Sequence, residues 1–334
     1  MNKKNLLILS GLLISLLLIY FLLIKKPWST NKLNSSEVSF EKIETIDKIF
    51  MADKYGAKVL LEKQADGKWL VNGKVEADEQ KLKLLLSTIH DMKMQRPVDG
   101  PLHNTVIGDL ASRGIKTEIY SNGDLLKTFY IGSETPDKTG TYYYEKNAAA
   151  PLIVHIPGFV GFLTPRFFLE EVKWQSKLIF NSEANEIASI RVEYPGKPDK
   201  SFMIKSGKLF DMNQKELVAN PQYMKIYLSS FKGLFVEGYL DYITKEQTDS
   251  IMKMQPFCKL ELELTNGTKT TMDVFEKKIG KKTMQLYSEN NVALEIDPEK
   301  FFACINHKPQ LASIQVFSFG KLFVGRQQLQ AQPE

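Results

Sequence analysis

The chain has 334 residues, of which 43% are apolar and 25% charged, and a formal net charge of +5. That is long enough for two cores and too apolar for disorder throughout. The excess charge comes from lysine, while Arg96, Arg113, Arg166, Arg191 and Arg326 are scattered, so the clustered arginines of a nucleic-acid binder are missing and no nucleic-acid partner is expected. Cys258 and Cys304 are too few for a zinc site without histidines at ligand spacing. Two readings of them stay open, one disulfide in an oxidising compartment or two buried thiols.

Taken in chain order, the first feature is Leu6 to Ile24, LLILSGLLISLLLIYFLLI, which carries no charge. At about 1.5 Å per residue it spans a hydrocarbon core of roughly 30 Å, so a single transmembrane helix is expected there. Lys3 and Lys4 precede it, and Tyr20 and Trp28 suit the far interface. Lys25 and Lys26 weaken the charge asymmetry, and a cleaved signal peptide is the rival, although no small-residue cleavage site follows. Residues 1–28 therefore read as a cytoplasmic start and anchor, and 29–42 as a solvated tether. The expected location is the inner membrane, single-pass, with the C-terminal region extracytoplasmic.

Residues 43–163 read as a first folded region. Short strands with turns at Tyr55-Gly56 and Asp66-Gly67 are followed by a helix over Ala77 to Met92, with Leu82, Leu85, Leu86 and Ile89 on one face and Asp78 as N-cap. A second helix, Asn104 to Ser112, runs to Gly114 as its stop. Strands at Ile115 to Tyr120, Leu126 to Ile131, from Thr141, and at Leu152 to Ile156 complete an antiparallel meander. Residues 164–185 are expected to form a linker helix, with Phe168, Val172 and Leu178 at helical spacing.

The pattern then restarts over 186–308, followed by a C-terminal tail, 309–334. IKTEIYSNG (Ile115 to Gly123) returns as CKLELELTNG (Cys258 to Gly267), both alternating and both ending in Asn-Gly. Ile46 aligns with Ile187 at an offset of 141, Ser87 with Ser229 at 142, Asn147 with Asn290 at 143, and Gly123 with Gly267 at 144. The nearly constant offset points to a tandem duplication. The fold class expected is α+β, an N-terminal transmembrane helix and two repeated domains, each a mainly antiparallel sheet with one or two helices.

The uncharged run, IDKIFMADKYG, HNTVIGDLASRGIKTEIY, YIGSETP and the restart WQSKLIFNSEANEIASIRVEY together resemble the membrane-anchored bacterial family catalogued as domain of unknown function 4340. The likeness covers most of the chain beyond the anchor. It implies a bacterial, Bacteroidota-type extracytoplasmic protein accompanying ABC-transporter-like or gliding-motility components, and it carries no catalytic residues with it.

Chemistry-bearing patterns are sparse. His90, His103, His155 and His307 show no metal-ligand spacing, and neither a nucleophile elbow nor a Walker loop is present, so no metal or cofactor is expected. Ser229 to Lys232 matches SxxK without its companion motifs. Two segments are candidates for partner contact. In the loop equivalent to Gly132–Gly140, where the first copy has Glu134 and Asp137, the second has Lys277, Lys278, Lys281 and Lys282. The segment PGFVGFLTPRFF carries Phe159, Phe162, Phe167 and Phe168, either an exposed patch or an apolar seam. The expected function is a non-enzymatic, membrane-anchored binding or scaffolding accessory with a membrane-protein partner. The alternatives are an envelope hydrolase, at Ser229 and Lys232, or a glycan- or lipid-binding protein.

Overall fold

Alternation with period two dominates the chain, and sheets result. The structure, a computed structural model, describes residues 38–279 and 293–331. It divides into two units, one ending at Glu171 and one beginning at Val172.

In the first unit the strands are β1 (Lys48–Ala52), β2 (Lys58–Lys63), β3 (Trp69–Val71), β4 (Val75–Glu76), β5 (Lys93–Pro97), β6 (Ile115–Ser121), β7 (Asp124–Glu134), β8 (Thr141–Glu145) and β9 (Leu152–His155). They form one antiparallel nine-stranded sheet in the order β4-β3-β2-β1-β6-β7-β8-β9-β5. Helix α1 (Glu79–Asp91) starts where the Asp78 carboxylate accepts the Lys81 amide at 3.1 Å, and it buries Leu82, Leu85, Thr88 and Ile89. Helix α2 (His103–Arg113) ends at Gly114, where an added Cβ would lie 2.4 Å from the Leu110 carbonyl oxygen. Val106 and Leu110 of α2 pack with Val98 and Ile153 against Tyr130, Tyr142 and Tyr144. Phe129, Ile131 and Tyr143, of the opposite parity on β7 and β8, face the other side and are fully buried.

The second unit contains β10 (Leu178–Phe180), β11 (Ile187–Glu193), β12 (Phe202–Lys205), β13 (Lys208–Phe210), β14 (Glu216–Leu217), β15 (Leu234–Phe235), β16 (Gly238–Tyr239), β17 (Cys258–Leu264), β18 (Lys269–Lys278), β19 (Ile296–Ile305) and β20 (Leu311–Gln315). Its main sheet runs β14-β13-β12-β11-β17-β18-β19-β20-β16, strand for strand the order of the first, while β10 pairs with β15. Helix α3 (Pro221–Ser229), capped by Asn220, packs Met224 and Tyr227 into the core with Ile190, Val192, Met272 and Val274. Helix α4 (Lys245–Met252), opened by a Thr244/Gln247 capping box, covers Phe275, Cys304 and Leu311 on the opposite face.

The offsets have a structural origin. Ile49 pairs with Ile119 as Ile190 pairs with Leu262, giving 141 for β1/β11 and 143 for β6/β17. Asn122 and Gly123 form a two-residue turn with φ of 52° and 86°, as a type I′ hairpin requires. The second hairpin takes one residue more, with the Gly267 amide donating to Leu264 and the Leu264 amide to Thr268, and this moves Gly267 to 144. A bulge between Ile119 and Tyr120 restores the register afterwards, so that Phe129 and Met272 are again 143 apart.

The expected fold class is corrected. The described residues form two nine-stranded antiparallel sheets and the small β10/β15 sheet with few helices, and none of those helices is long and apolar enough to cross a membrane. The longest, α1, has 13 residues and one apolar face, where a span needs about 20 apolar ones. The run Leu6 to Ile24, assigned to a transmembrane helix from sequence, lies outside the described residues. The 164–185 segment is not one helix either. Pro165 sits in a single 3-10 turn, Glu171–Trp174 makes one helical turn, and the branched and aromatic residues after it form β10. Residues 309–331 supply β20 and the buried Phe319, Leu322 and Leu329 to the core of the second unit.

Candidate functional site

The second sheet turns Ile190, Val192, Ile204, Leu260 and Leu262 inward, so alternation sends Ser189, Arg191, Met203, Lys205, Glu261 and Glu263 outward. Between these outward side chains, and beside Phe210 and Gln214, lies an open groove of about 740 Å³. Arg191 lines it, opposite Met203 on β12 and Glu261 on β17. One guanidinium nitrogen lies 3.4 Å from Glu193 and another 3.7 Å from the Met203 sulfur. Ser189 donates to Glu263 at 3.3 Å, and Lys269 reaches the same carboxylate at 3.5 Å. A smaller recess of about 130 Å³ continues the face past Lys259, Asp273 and His307, where the buried Thr271 Oγ1 has no hydrogen-bond partner. Cations and carboxylates therefore interleave on a pleated surface, an arrangement that can pair with a polar partner of mixed charge.

The equivalent face of the first sheet carries half-buried aromatic and aliphatic side chains among its charges. Phe50 stands where Arg191 stands, and it pairs across the sheet with Leu60 and Glu118. Lys48 lies 4.8 Å from the Tyr120 ring centre, and Tyr120 donates to Glu118 at 2.8 Å. Burial works to raise the Glu118 carboxyl, but hydrogen bonds from Lys116 and Tyr120 outweigh it and hold the group below its usual value.

The residues singled out from sequence are dispersed. Phe167 is core, edge-on to Phe129 at 6.1 Å, whereas Phe159 is exposed and stacks on the Arg166 guanidinium at 4.4 Å. Phe162 and Phe168 are half-buried. Lys277 pairs with Asp297 at 2.8 Å, Lys278 is exposed, and Lys281 and Lys282 lie outside the described residues. Ser229 gives its hydroxyl hydrogen to the Ile226 carbonyl, and Lys232 pairs with Glu183, whose hydrogen bond raises the lysine above its ordinary pKa. A lysine so held stays protonated and is a poor base for the serine.

The histidines do not converge. His90 meets Asp91 at 2.7 Å, His103 the Val98 carbonyl at 2.8 Å, and His307 Asp273 at 4.0 Å. Among the described residues no group of three or more His, Cys, Asp or Glu side chains is placed to hold a metal ion. Cys258 belongs to the α3 side of its sheet and Cys304 to the α4 side; both are free thiols, so the disulfide reading falls away. Burial pushes the Cys258 thiol up to about 12, which suppresses its thiolate.

The groove at Arg191 was missed from sequence, yet the offset of 141 aligns Arg191 with Phe50 of the other copy. Comparison with curated proteins and with solved structures gave no match. The family described as Domain of unknown function (DUF4340) matches residues 69–253, more than half of the chain and reaching from β3 through α4, so the chain belongs to that family.

Proposed function

We propose that this chain is a non-enzymatic accessory of a membrane complex at the bacterial envelope, attached through its uncharged N-terminal run and presenting the second sheet to a protein partner. The observation that carries the reading is the contrast between two sheets of one strand order, one face carrying the half-buried Phe50, Leu60 and Tyr120 and the other a charged groove around Arg191. A groove lined by Arg191, Lys205, Glu261 and Glu263 offers charge-assisted hydrogen bonds over a broad surface, which suits recognition of a protein. The engagement of Lys232 by Glu183 supports binding over serine hydrolysis. Photo-crosslinking from position 205 in native membranes, followed by mass spectrometry, tests it. The expected product is a discrete adduct with a membrane protein, lost in Arg191→Glu. Recovery of no adduct, or of one indifferent to Arg191→Glu, would sink the proposal.

A further inference from the structure

A second feature of the second unit is independent of the groove and of the scaffolding reading. Tyr194, at the start of the loop after β11, Phe257, just before β17, Phe301 on β19 and Phe323 form one aromatic cluster. Phe257 stacks on Phe301 at 5.2 Å and 14°, and Phe323 meets both edge-on at 5.8 and 5.7 Å. Of the four rings only Tyr194 is buried, its hydroxyl donating to the Val324 carbonyl at 2.9 Å. The other three are partly exposed and so keep contact with solvent that a core aromatic would lose.

Phe257 and Phe323, with Tyr194, line a cleft of about 280 Å³, rimmed by Lys197, Lys200, Gln255 and Glu276. Lys197 and Lys200 are exposed and, among the described residues, make no ion pair, unlike Lys208, Lys232, Lys269, Lys277 and Lys300 of the same unit. In the first unit the positions equivalent to Tyr194, Phe257 and Phe301 hold Asp53, Gly114 and Thr141, so the shared framework does not need these rings.

We propose that this cleft binds a sugar ring bearing one carboxylate, a hexuronate unit of an acidic glycan. The rings offer apolar surface to the C–H face of a pyranose, and the volume suits one such ring. Gln255 and Glu276 supply an amide and a carboxylate for ring hydroxyls. Two lysines against one glutamate leave one positive charge at the rim, the complement of a single carboxylate.

The test is a titration of the full chain, kept in a detergent without sugar headgroups, with methyl β-D-glucuronide, followed by saturation-transfer NMR. A dissociation constant on the order of millimolar is expected for a ligand of this size. Methyl β-D-glucoside should bind roughly fivefold more weakly, the scale of an exposed ion pair. Phe323→Ala should weaken both sugars. The double variant Lys197→Ala/Lys200→Ala, which touches only exposed side chains, should bring the glucuronide down to the glucoside. Absence of transfer to the glucuronide, or a double variant that binds it unchanged, overturns the proposal. Benzoate displacing it at lower concentration would assign the cleft to aromatic anions and overturn it equally.

Discussion

The two units share a strand order, and their helices α1 and α3 begin at side-chain caps, Asp78 and Asn220, that lie 142 residues apart. Even an ion pair is repeated, Lys68 with Glu76 at 2.9 Å and Lys208 with Glu216 at 3.0 Å, both partners shifted by 140. Their cores differ. In the first unit Lys127 reaches inward and is buried; its Nζ donates to the Val38 carbonyl at 3.0 Å and pairs with Glu145 at 3.2 Å, and the Tyr143 hydroxyl donates to the same carboxylate at 3.2 Å. Burial first, and the Glu145 charge second, push the Tyr143 phenol well above its usual value. The second unit has Thr270, Ile305 and Ala303 at these positions. A common backbone tolerates a charged, hydrogen-bonded trio in one copy and an uncharged set in the other because turns and alternation, and not any one core contact, specify the strand order. The trio ties down Val38, ten residues ahead of β1.

The largest effect should come from the deepest equivalent positions. Phe129 stacks on Tyr143 at 5.3 Å and meets Phe167 edge-on, so Phe129→Ala should cost about 3–5 kcal/mol, read by urea unfolding and by hydrogen exchange in β6 to β8. Met272→Ala, its counterpart in the second unit, should cost about 2–4 kcal/mol. A value near zero at either site would break the equivalence of the two cores. Next is the trio. Glu145→Ala leaves the Lys127 ammonium buried without its carboxylate, at a cost of roughly 2–3 kcal/mol, below that for a fully buried pair because Glu145 is a third exposed. Exchange of both partners, Lys127→Met with Glu145→Leu, should restore most of that stability in thermal unfolding. A double variant as weak as the single one would mean that the trio is more than a local solution. Smaller still are the caps. Asp78→Ala and Asn220→Ala should each cost about 1 kcal/mol and nearly equally, since each removes one side-chain acceptor from the first helical turn.

How much of this was legible in the sequence follows from the range of each interaction. Asp78 as a cap, Gly114 as a stop and the Asn-Gly hairpins are local, and a few neighbouring residues specify them. Alternation in Ile115–Ser121 and Cys258–Leu264 marks strands but not their neighbours, so it could not show that Arg191 and Glu261 sit side by side on an open face. Phe167 was readable only as an exposed or seam aromatic, because its partner Phe129 lies 38 residues away in the chain. The aromatic cleft draws its rings from residues 194 to 323, farther apart than any spacing rule reaches. Lys127 reads as one more polar member of a strand, and only the arrival of Val38 and Glu145 explains its burial.

The smallest expected difference between the units is a pH effect at a sheet edge. Glu237, next to β16, receives hydrogen bonds from Lys300 at 2.6 Å and from Ser313 at 2.8 Å, while Gln95, at the bulge within β5, holds the equivalent place. The Lys300 hydrogen bond, working against desolvation and helped by Ser313, holds the carboxyl below its ordinary value. A depressed carboxylate stabilises the folded state above its unfolded pKa, about 4.3 for glutamate, and the contribution disappears as pH falls through the folded value. Because Glu237 is a third exposed, solvent screening reduces the effect to about 0.5 kcal/mol. Glu237→Gln should therefore lower stability slightly at pH 7, with the gap to the parent closing below about pH 4 in paired urea titrations. Gln95→Ala should show no such acid limb. A pH-independent gap for Glu237→Gln would assign the loss to the amide's geometry and remove charge from the account of this edge.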